Sequence, residues 1–273
     1  MPLADRFDGL LIDLDGVVWI GGETVPGSVE ALRELRTAGK RLVFVTNNPG
    51  RRPQDYAERL QGLGVELGAG QIVTAGVVVA RLTAEAAGEG GSAFVIGRSA
   101  LKEMVEATGT RLLEGEEAER ADVVVVAGHP GFDYGELKTA KFALDRGARL
   151  FATSHDPTMP YPGGELPGTG AVLAAVEVAS GRRATIAGKP EPHLFEMAKE
   201  ALRCSFSPYS EEKEHWNGRV AMVGDRITSD IEGGRRAGLE TVLVLSGTTT
   251  RAEAEAASPA PDFLLEDLAG LLT

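Results

Sequence analysis

The chain has 273 residues, a formal net charge of −12, 43% hydrophobic residues and 25% charged residues. This length can bury a large core in one or two domains. The acidic balance argues against a nucleic-acid-binding or anionic-membrane-binding surface. The single cysteine, Cys204, excludes an internal disulfide and favours a reducing compartment. No apolar run has the length of a membrane span, and the first residues lack a secretion-signal pattern. We therefore expect a cytoplasmic protein that binds neither nucleic acid nor membrane.

The first predicted element is an apolar run that ends in two carboxylates. Leu10-Leu11-Ile12 is followed by Asp13-Leu14-Asp15-Gly16. The run predicts a buried strand of a parallel sheet, whose last side chains lie at the sheet edge where open α/β folds bind ligands. Two carboxylates there repel each other, and a hard cation such as Mg²⁺ would offset the repulsion. A solvated acidic turn would give the same local pattern. The choice between a cation site and such a turn therefore depends on the rest of the chain.

Helices and strands alternate along the remaining sequence. Strands are predicted at 41–45, 72–75, 93–97, 123–127, 150–153, near 185, at 220–223 and at 241–245, and helices at 28–38, 53–62, 77–82, 99–107, 134–144, 171–179 and 192–202. A Pro/Gly-rich loop is predicted at 157–170, a polar irregular segment at 205–218, and short helices in the tail. The alternation predicts an α/β fold with mostly parallel, Rossmann-like sheets.

The pattern of strands and helices restarts near residue 82. We therefore predict a core domain in two parts, 1–81 and 184–273, interrupted by an inserted α/β domain at 82–183. The chemistry supports this division, because the next residue that could complete the site at Asp13 and Asp15 after the inserted domain is Lys189.

Polar residues end four of the predicted strands, and they would meet if those strands were neighbours in one sheet. The four groups are Asp13 with Asp15, Thr46 with Asn47 and Asn48, Lys189, and Asp225 with Asp230. This combination suits phosphoryl transfer from a monoester, whose phosphate carries about two negative charges. Magnesium held by Asp13, the backbone carbonyl of Asp15 and Asp225 would remove the repulsion between phosphate and carboxylate.

Each remaining group then has a predicted role. Asp13 would attack phosphorus and form an aspartyl-phosphate, and Asp15 would protonate the leaving oxygen and later accept a proton from water. Lys189, Thr46 and the N–H groups near Asn47 would bind the other phosphate oxygens.

Four segments together resemble the motifs of a haloacid dehalogenase superfamily phosphatase of the NagD-like and p-nitrophenylphosphatase subgroup. They are Asp13-Leu14-Asp15-Gly16-Val17-Val18-Trp19, Val45-Thr46-Asn47-Asn48, Gly188-Lys189-Pro190 and Gly224-Asp225-Arg226-Ile227-Thr228-Ser229-Asp230-Ile231. The resemblance implies a nucleophilic Asp13, an acid/base Asp15, magnesium at Asp13, Asp15 and Asp225 with Asp230 in support, and a cap formed by 82–183. It also implies a small phosphorylated metabolite as substrate and a homodimer that pairs through the caps.

The motifs leave the substrate contacts and the exact reaction with alternatives. His155 and Asp156 are candidate substrate contacts of the cap, but Ser154-His155 departs from the Thr-Asn usual in relatives, and the motifs do not identify the substrate. A phosphotransferase or a non-catalytic phospholigand-binding protein could use the same core. Carbon–halogen cleavage fits less well, because a halide leaves as a stable anion and would give Asp15 and Asp225 no role.

Overall fold

The computed structural model describes residues 1–161, 164–204 and 217–273. The chain divides into two compact units. The first unit comprises Met1–Thr46, Pro53–Val73 and Lys189–Thr273, and the second comprises Asn47–Arg52 and Thr74–Gly188. The predicted inserted domain, 82–183, lies within the second unit, and its exact boundaries remain a prediction.

The strands and helices have the following bounds. The strands are β1 Gly9–Asp13, β2 Trp19–Ile20, β3 Glu23–Thr24, β4 Arg41–Thr46, β5 Ile72–Thr74, β6 Ser92–Ile96, β7 Arg111–Leu112, β8 Val123–Val126, β9 Arg149–Ala152, β10 Thr158–Tyr161, β11 Gly164–Pro167, β12 Thr185–Ile186, β13 Val220–Gly224, β14 Glu240–Val244 and β15 Phe263–Leu265. The α-helices are α1 Ser28–Thr37, α2 Pro53–Gly62, α3 Ala75–Ala87, α4 Ser99–Glu106, α5 Tyr134–Asp145, α6 Thr169–Ser180, α7 Pro192–Cys204, α8 Glu232–Arg236 and α9 Arg251–Ala256.

The first unit is built on a six-stranded sheet of order β15-β14-β13-β1-β4-β5. β1 lies in its middle and pairs in parallel with β13 and β4. All residues of β1 are buried, as expected for a strand covered on both faces. The helix α1 shows the matching pattern, because Val29, Leu32 and Leu35 recur at helical spacing and are buried in the core. The parallel pairing brings the carboxyl ends of β1, β4 and β13 to one edge of the sheet.

The second unit contains a five-stranded sheet of order β12-β9-β8-β6-β7, and its neighbouring strands are parallel. Its middle strand β8 is four consecutive valines, all buried. The prediction of an α/β fold with parallel sheets is therefore confirmed.

The predicted loop at 157–170 is wrong over most of its length. The strands β10 and β11 form an antiparallel hairpin in which Thr158 pairs with Pro167. Its prolines and glycines, which normally interrupt strands, hid the alternation from the sequence. Residues 162 and 163, which belong to the predicted loop, lie outside the described residues.

Two features near the end of the chain also differ from expectation. Phe263–Leu265 is the edge strand β15 and follows a Pro-rich turn, whereas the sequence predicted only short helices there. A π-helical turn at Ile227–Ile231 leads from β13 into α8 and carries Asp230. π-Helical turns are frequent at functional sites. Of the predicted polar segment at 205–218, residues 205–216 lie outside the described part of the chain.

Within the described ranges, no helix is both long enough and apolar enough to cross a membrane.

Candidate active site

Three buried carboxylates meet at the carboxyl edge of the first unit's sheet. Asp13 is the last residue of β1, and Asp225 follows β13, whose register with β1 pairs Ile12 with Val223. Asp230 comes from the π-helical turn. One carboxylate oxygen from each of Asp13, Asp225 and Asp230 lies within 4.8 Å of the others. The side chains are closed off from solvent, since the residues are 6%, 1% and 0% exposed, respectively.

Lys189 links two of these carboxylates. Its Nζ lies 2.8 Å from Asp13 Oδ1 and 2.6 Å from Asp230 Oδ1. Burial alone would lower the pKa of Lys189, but the charges of Asp13 and Asp230 outweigh it and raise that pKa above its ordinary value. Lys189 therefore stays charged, and one ammonium group faces three carboxylates.

Asp225 has the arrangement of a metal ligand. Its Oδ2 accepts a hydrogen bond from the backbone N–H of Thr248 at 2.7 Å, whereas its buried Oδ1 has no hydrogen-bond partner among the described residues. Burial raises the pKa of Asp225, and the neighbouring Asp230 raises it further. A buried carboxylate oxygen without a partner is costly. A hard divalent cation would satisfy it, and the all-oxygen donor set suits magnesium.

Small residues from two loops surround Asp225. A Cβ added at Gly16 would lie 2.4 Å from Asp225 Oδ2, and one added at Gly247 would lie 2.1 Å from the same atom. The hydroxyl of Ser246 donates to the carbonyl of Gly16 at 2.7 Å and ties the two loops together. Sequence reasoning gave no role to Ser246, Gly247 or Thr248. The available signal was their position directly after β14, at the same edge of the sheet.

The carboxylate of Asp15 is held separately from this cluster. Its Oδ1 accepts a hydrogen bond from Trp19 Nε1 at 3.0 Å, and its Oδ2 lies 3.5 Å from Thr46 Oγ1. Burial raises the pKa of Asp15, although the hydrogen bond from Trp19 acts in the opposite direction. A raised pKa favours the protonated form, which a proton donor needs. The predicted contact between the Asp15 backbone carbonyl and magnesium remains a prediction.

The other predicted substrate contacts belong to the second unit. Asn47 Nδ2 donates to Asp156 Oδ2 at 3.1 Å, and Asn48 Oδ1 accepts from the N–H of Gly50 at 2.9 Å. His155 is exposed. The structure thus joins two of these residues, Asn47 and Asp156, and the role of all four in substrate binding remains a prediction.

Comparison with known families identifies the family of the chain. A family described as haloacid dehalogenase-like hydrolase matches residues 10–111, and a second, described as HAD-hydrolase-like, matches residues 186–271. The chain belongs to the haloacid dehalogenase-like hydrolases. This haloacid dehalogenase-like hydrolase is 37% identical over 278 residues to chronophin from Mus musculus, with 97% of this chain and 91% of chronophin covered.

Solved structures agree with this assignment. Glycerol phosphate phosphatase from Mycobacterium tuberculosis in complex with magnesium matches with a TM-score of 0.87 and 33% identity, over 100% of this chain and 78% of that one. A p-nitrophenyl phosphatase from Archaeoglobus fulgidus matches with a TM-score of 0.84 and 29% identity, over 97% and 98% of the two chains. The predicted family, the class of hydrolase acting on phosphoric monoesters and the magnesium cofactor are thereby confirmed for this haloacid dehalogenase-like hydrolase.

Proposed function

We propose that this hydrolase cleaves phosphomonoesters of small metabolites through an aspartyl-phosphate formed on Asp13. The observation that carries the proposal is the cluster in which Lys189 bridges Asp13 and Asp230, beside the unpartnered buried oxygen of Asp225. Asp13 and Asp225 would hold magnesium with the backbone carbonyl of Asp15, and Asp230 would support them. When bound, the metal neutralises phosphate charge and polarises a phosphoryl oxygen.

The residues of the chain then supply the two chemical steps. Asp13 attacks phosphorus in line with the leaving oxygen, the P–O bond breaks, and its electron pair stays on that oxygen. Asp15 gives its proton to the same oxygen, so that an alcohol leaves. Asp15 is then ionised and accepts a proton from the water that attacks the aspartyl-phosphate, which releases phosphate and restores both carboxyl groups.

The remaining phosphate oxygens would be bound by a positive group, a hydroxyl group and N–H groups. Lys189 stays charged beside Asp13, and Thr46 lies beside Asp15, which supports their assignment as phosphate contacts. We also assign Asn47 and Asn48 to phosphate binding, and His155 and Asp156 to the substrate. The hydrogen bond from Asn47 to Asp156 supports a joint role of these two residues in substrate binding.

The activity is tested with p-nitrophenyl phosphate. We expect turnover with magnesium, loss of turnover with EDTA, and loss in Asp13→Asn. A phosphate adduct on the peptide that contains Asp13, detected by mass spectrometry after acid quench, would identify the nucleophile. Equal activity in all three conditions would contradict the assignment, and phosphate transfer to added alcohols in preference to water would instead identify a phosphotransferase.

The natural substrate is a separate question. Proteins similar to this chain are named glycerol phosphate phosphatase, acid sugar phosphatase and p-nitrophenyl phosphatase. We propose a substrate among small phosphate esters, including glycerol phosphate, phosphoglycolate, sugar phosphates, nucleotides and pyridoxal phosphate. A panel ranked by kcat/KM would identify it, and a flat ranking would contradict selection for one metabolite.

We also propose a cytoplasmic location and a homodimer. The single cysteine, Cys204, supports a reducing compartment, because the chain cannot form an internal disulfide. Fractionation of cells and light scattering of the purified chain test the two proposals, and a monomer at high concentration would contradict the second.

A further inference from the structure

Trp19 has no role in the proposed mechanism, yet it contacts the carboxyl group of Asp15. It is 1% exposed, and its indole N–H donates to Asp15 Oδ1 at 3.0 Å. Most buried tryptophans fill the core, and their N–H takes whichever acceptor is near. Here the acceptor is the carboxyl group to which the mechanism assigns proton transfer.

The backbone around Trp19 forms a closed turn. The backbone N–H of Gly16 donates to the carbonyl of Trp19 at 2.7 Å, and the backbone N–H of Trp19 donates to the carbonyl of Leu14 at 3.2 Å. Trp19 then pairs with Thr24 across the β2–β3 hairpin. Asp15 and Trp19 therefore lie on opposite sides of one short turn, and backbone contacts fix the backbone of Trp19 relative to Asp15.

The indole ring is fixed by α2. The ring of Tyr56 stacks with it at a centroid distance of 6.2 Å and an angle of 5° between planes. Arg59 Cζ lies 3.9 Å from the centroid of the Trp19 ring, within range of a cation–π contact. Arg59 also donates to the carbonyl of Gly22, in the turn between β2 and β3, at 3.1 Å. Arg59 thus connects α2 both to the indole and to the hairpin that carries it.

We propose that Trp19, held by Arg59, is a positioning residue that fixes the orientation of the Asp15 carboxyl group. An indole N–H can only donate, so Asp15 Oδ1 must act as an acceptor towards it. Oδ2 accepts from the Thr46 hydroxyl at 3.5 Å, but a hydroxyl can also turn and accept, so Oδ2 is the oxygen that can carry the transferable proton. This inference depends on the proposed function, because it assigns a purpose to the orientation of the acid.

The proton transfer predicts which substrates should depend on Trp19. The leaving oxygen keeps the electron pair of the broken P–O bond and takes the proton from Asp15. A weakly acidic alcohol or phenol needs this proton in the transition state, whereas an acidic phenol such as p-nitrophenol leaves well as an anion. Misorienting Asp15 should therefore slow the first kind of ester far more than the second.

The test is Trp19→Phe, which keeps an aromatic ring and removes the N–H. On kcat/KM, which reports the steps up to cleavage of the ester, we expect a loss of about 10-fold or more for phenyl phosphate and less than about threefold for p-nitrophenyl phosphate. Ile20→Ala is the matched control, because Ile20 is the next residue of the hairpin and its side chain is 54% exposed. This control should keep the wild-type ratio of the two substrates.

A double-mutant cycle separates positioning from a general structural effect. If Trp19 acts through Asp15, adding Trp19→Phe to Asp15→Asn should leave the substrate ratio of Asp15→Asn unchanged. A further change in the ratio, or an equal loss on both substrates in the single variant, would overturn the proposal. If Trp19→Phe does not fold, Arg59→Met removes the contact over the ring and should shift the ratio in the same direction, by less.

Failure of this inference is distinguishable from failure of the proposed function. Absence of magnesium-dependent hydrolysis of either ester by the wild-type protein would refute the proposed function. Normal wild-type activity with unaltered ratios in Trp19→Phe and Arg59→Met would refute the positioning role alone.

Discussion

The two ends of β1 use the same residue type in opposite ways. Asp8 precedes the strand, and its Oδ2 accepts the backbone N–H of Arg219 at 2.8 Å. A similar contact lies further along the same sheet, where Asp262 Oδ2 accepts both the N–H and the hydroxyl of Thr241 at 2.8 Å. At the other end of β1, Asp13 shares Lys189 with Asp230.

The two ends differ in the balance of buried charge and in one carboxylate oxygen that no donor satisfies. At the amino end, each of these aspartates meets a backbone N–H that a neighbouring strand supplies, so the contact stabilises strand pairing. At the carboxyl end, three buried carboxylates meet one ammonium group, and Asp225 Oδ1 has no hydrogen-bond partner in the described ranges. Parallel packing can therefore place aspartates at either end of a strand, but a cation site needs an excess of buried negative charge over positive charge.

The largest difference in activity should appear when the aspartate at each end of β1 is replaced separately by asparagine. We expect Asp13→Asn to lower kcat by about 10³-fold or more, because it removes the nucleophile. Asp8→Asn, at the other end of the same strand, should leave kcat within about threefold, because the Asp8 side chain accepts the backbone N–H of Arg219 and lies at the end of β1 opposite to Asp13. Initial rates with p-nitrophenyl phosphate measure both. A comparable loss in both variants would show that β1 was damaged as a strand and would remove the distinction between its ends.

The second prediction concerns metal binding and does not need turnover. Magnesium should raise the thermal midpoint of the wild-type protein, because a ligand that binds the folded state stabilises it. Asp225→Asn should abolish this rise and lower kcat by about 10²-fold or more, because it removes a charged ligand. Asp262→Asn should lower the midpoint itself but keep the magnesium-dependent rise. A full rise in Asp225→Asn would exclude Asp225 as a ligand.

The third prediction tests the close packing around Asp225. In Gly247→Ala, the new Cβ would fall 2.1 Å from Asp225 Oδ2 and would displace the carboxylate. We expect magnesium affinity to fall by about 10-fold, as for other changes in the support of a metal ligand. The thermal midpoint as a function of magnesium concentration measures this affinity. Gly62→Ala is the control, since a Cβ at the end of α2 would meet nothing within 4 Å. Equal affinities in the two variants would contradict the role given to Gly247.

The sequence predicted those residues of the site whose charged side chains directly follow an apolar run. Asp13 and Asp225 each follow such a run in neighbouring parallel strands, so strand pairing makes these two ends converge. The expectation that the strand before Lys189 lies in the same sheet is wrong, because β12 pairs with β9 in the second unit, and Lys189 meets Asp13 through a side-chain contact instead. The fold class followed from the same alternation of strands and helices. These inferences succeed because burial forces a simple apolar pattern on strands, and any charged residue directly after one stands out.

The remaining parts depend on contacts that leave no such pattern. Thr248 contributes through its backbone N–H, which every residue except proline possesses, and Gly247 contributes by lacking a side chain. Trp19 looks like an ordinary core residue, because its donor bond to Asp15 depends on a turn conformation. The β10–β11 hairpin was missed because it is rich in proline and glycine, which usually indicate loops.

The smallest expected effect concerns the amino end of the second unit's sheet, where the same strand-end contact recurs. The N–H and hydroxyl of Ser92 donate to Asp122 Oδ2 at 2.9 and 2.6 Å, and the Ser92 hydroxyl bond, followed by the N–H bond, lowers the pKa of Asp122. A lowered folded-state pKa stabilises the protein fully above the unfolded value of about 3.9, and this contribution is lost as the pH falls through the folded value.

Asp122→Asn should therefore reduce the free energy of unfolding at pH 7 by about 1 kcal/mol, because Asp122 is exposed and the amide oxygen still accepts one bond from Ser92. Urea unfolding at pH 7 and at about pH 3 measures the difference in unfolding free energy between variant and wild type. This difference should narrow at the lower pH, because the unfolded wild-type chain then binds a proton at Asp122 and the stabilisation is progressively lost. Ser92→Ala, which removes one donor and keeps the charge, should show the same narrowing. A difference that is constant with pH would mean that Asp122 acts through shape alone, and the likeness between the amino ends of the two sheets would then not extend to charge.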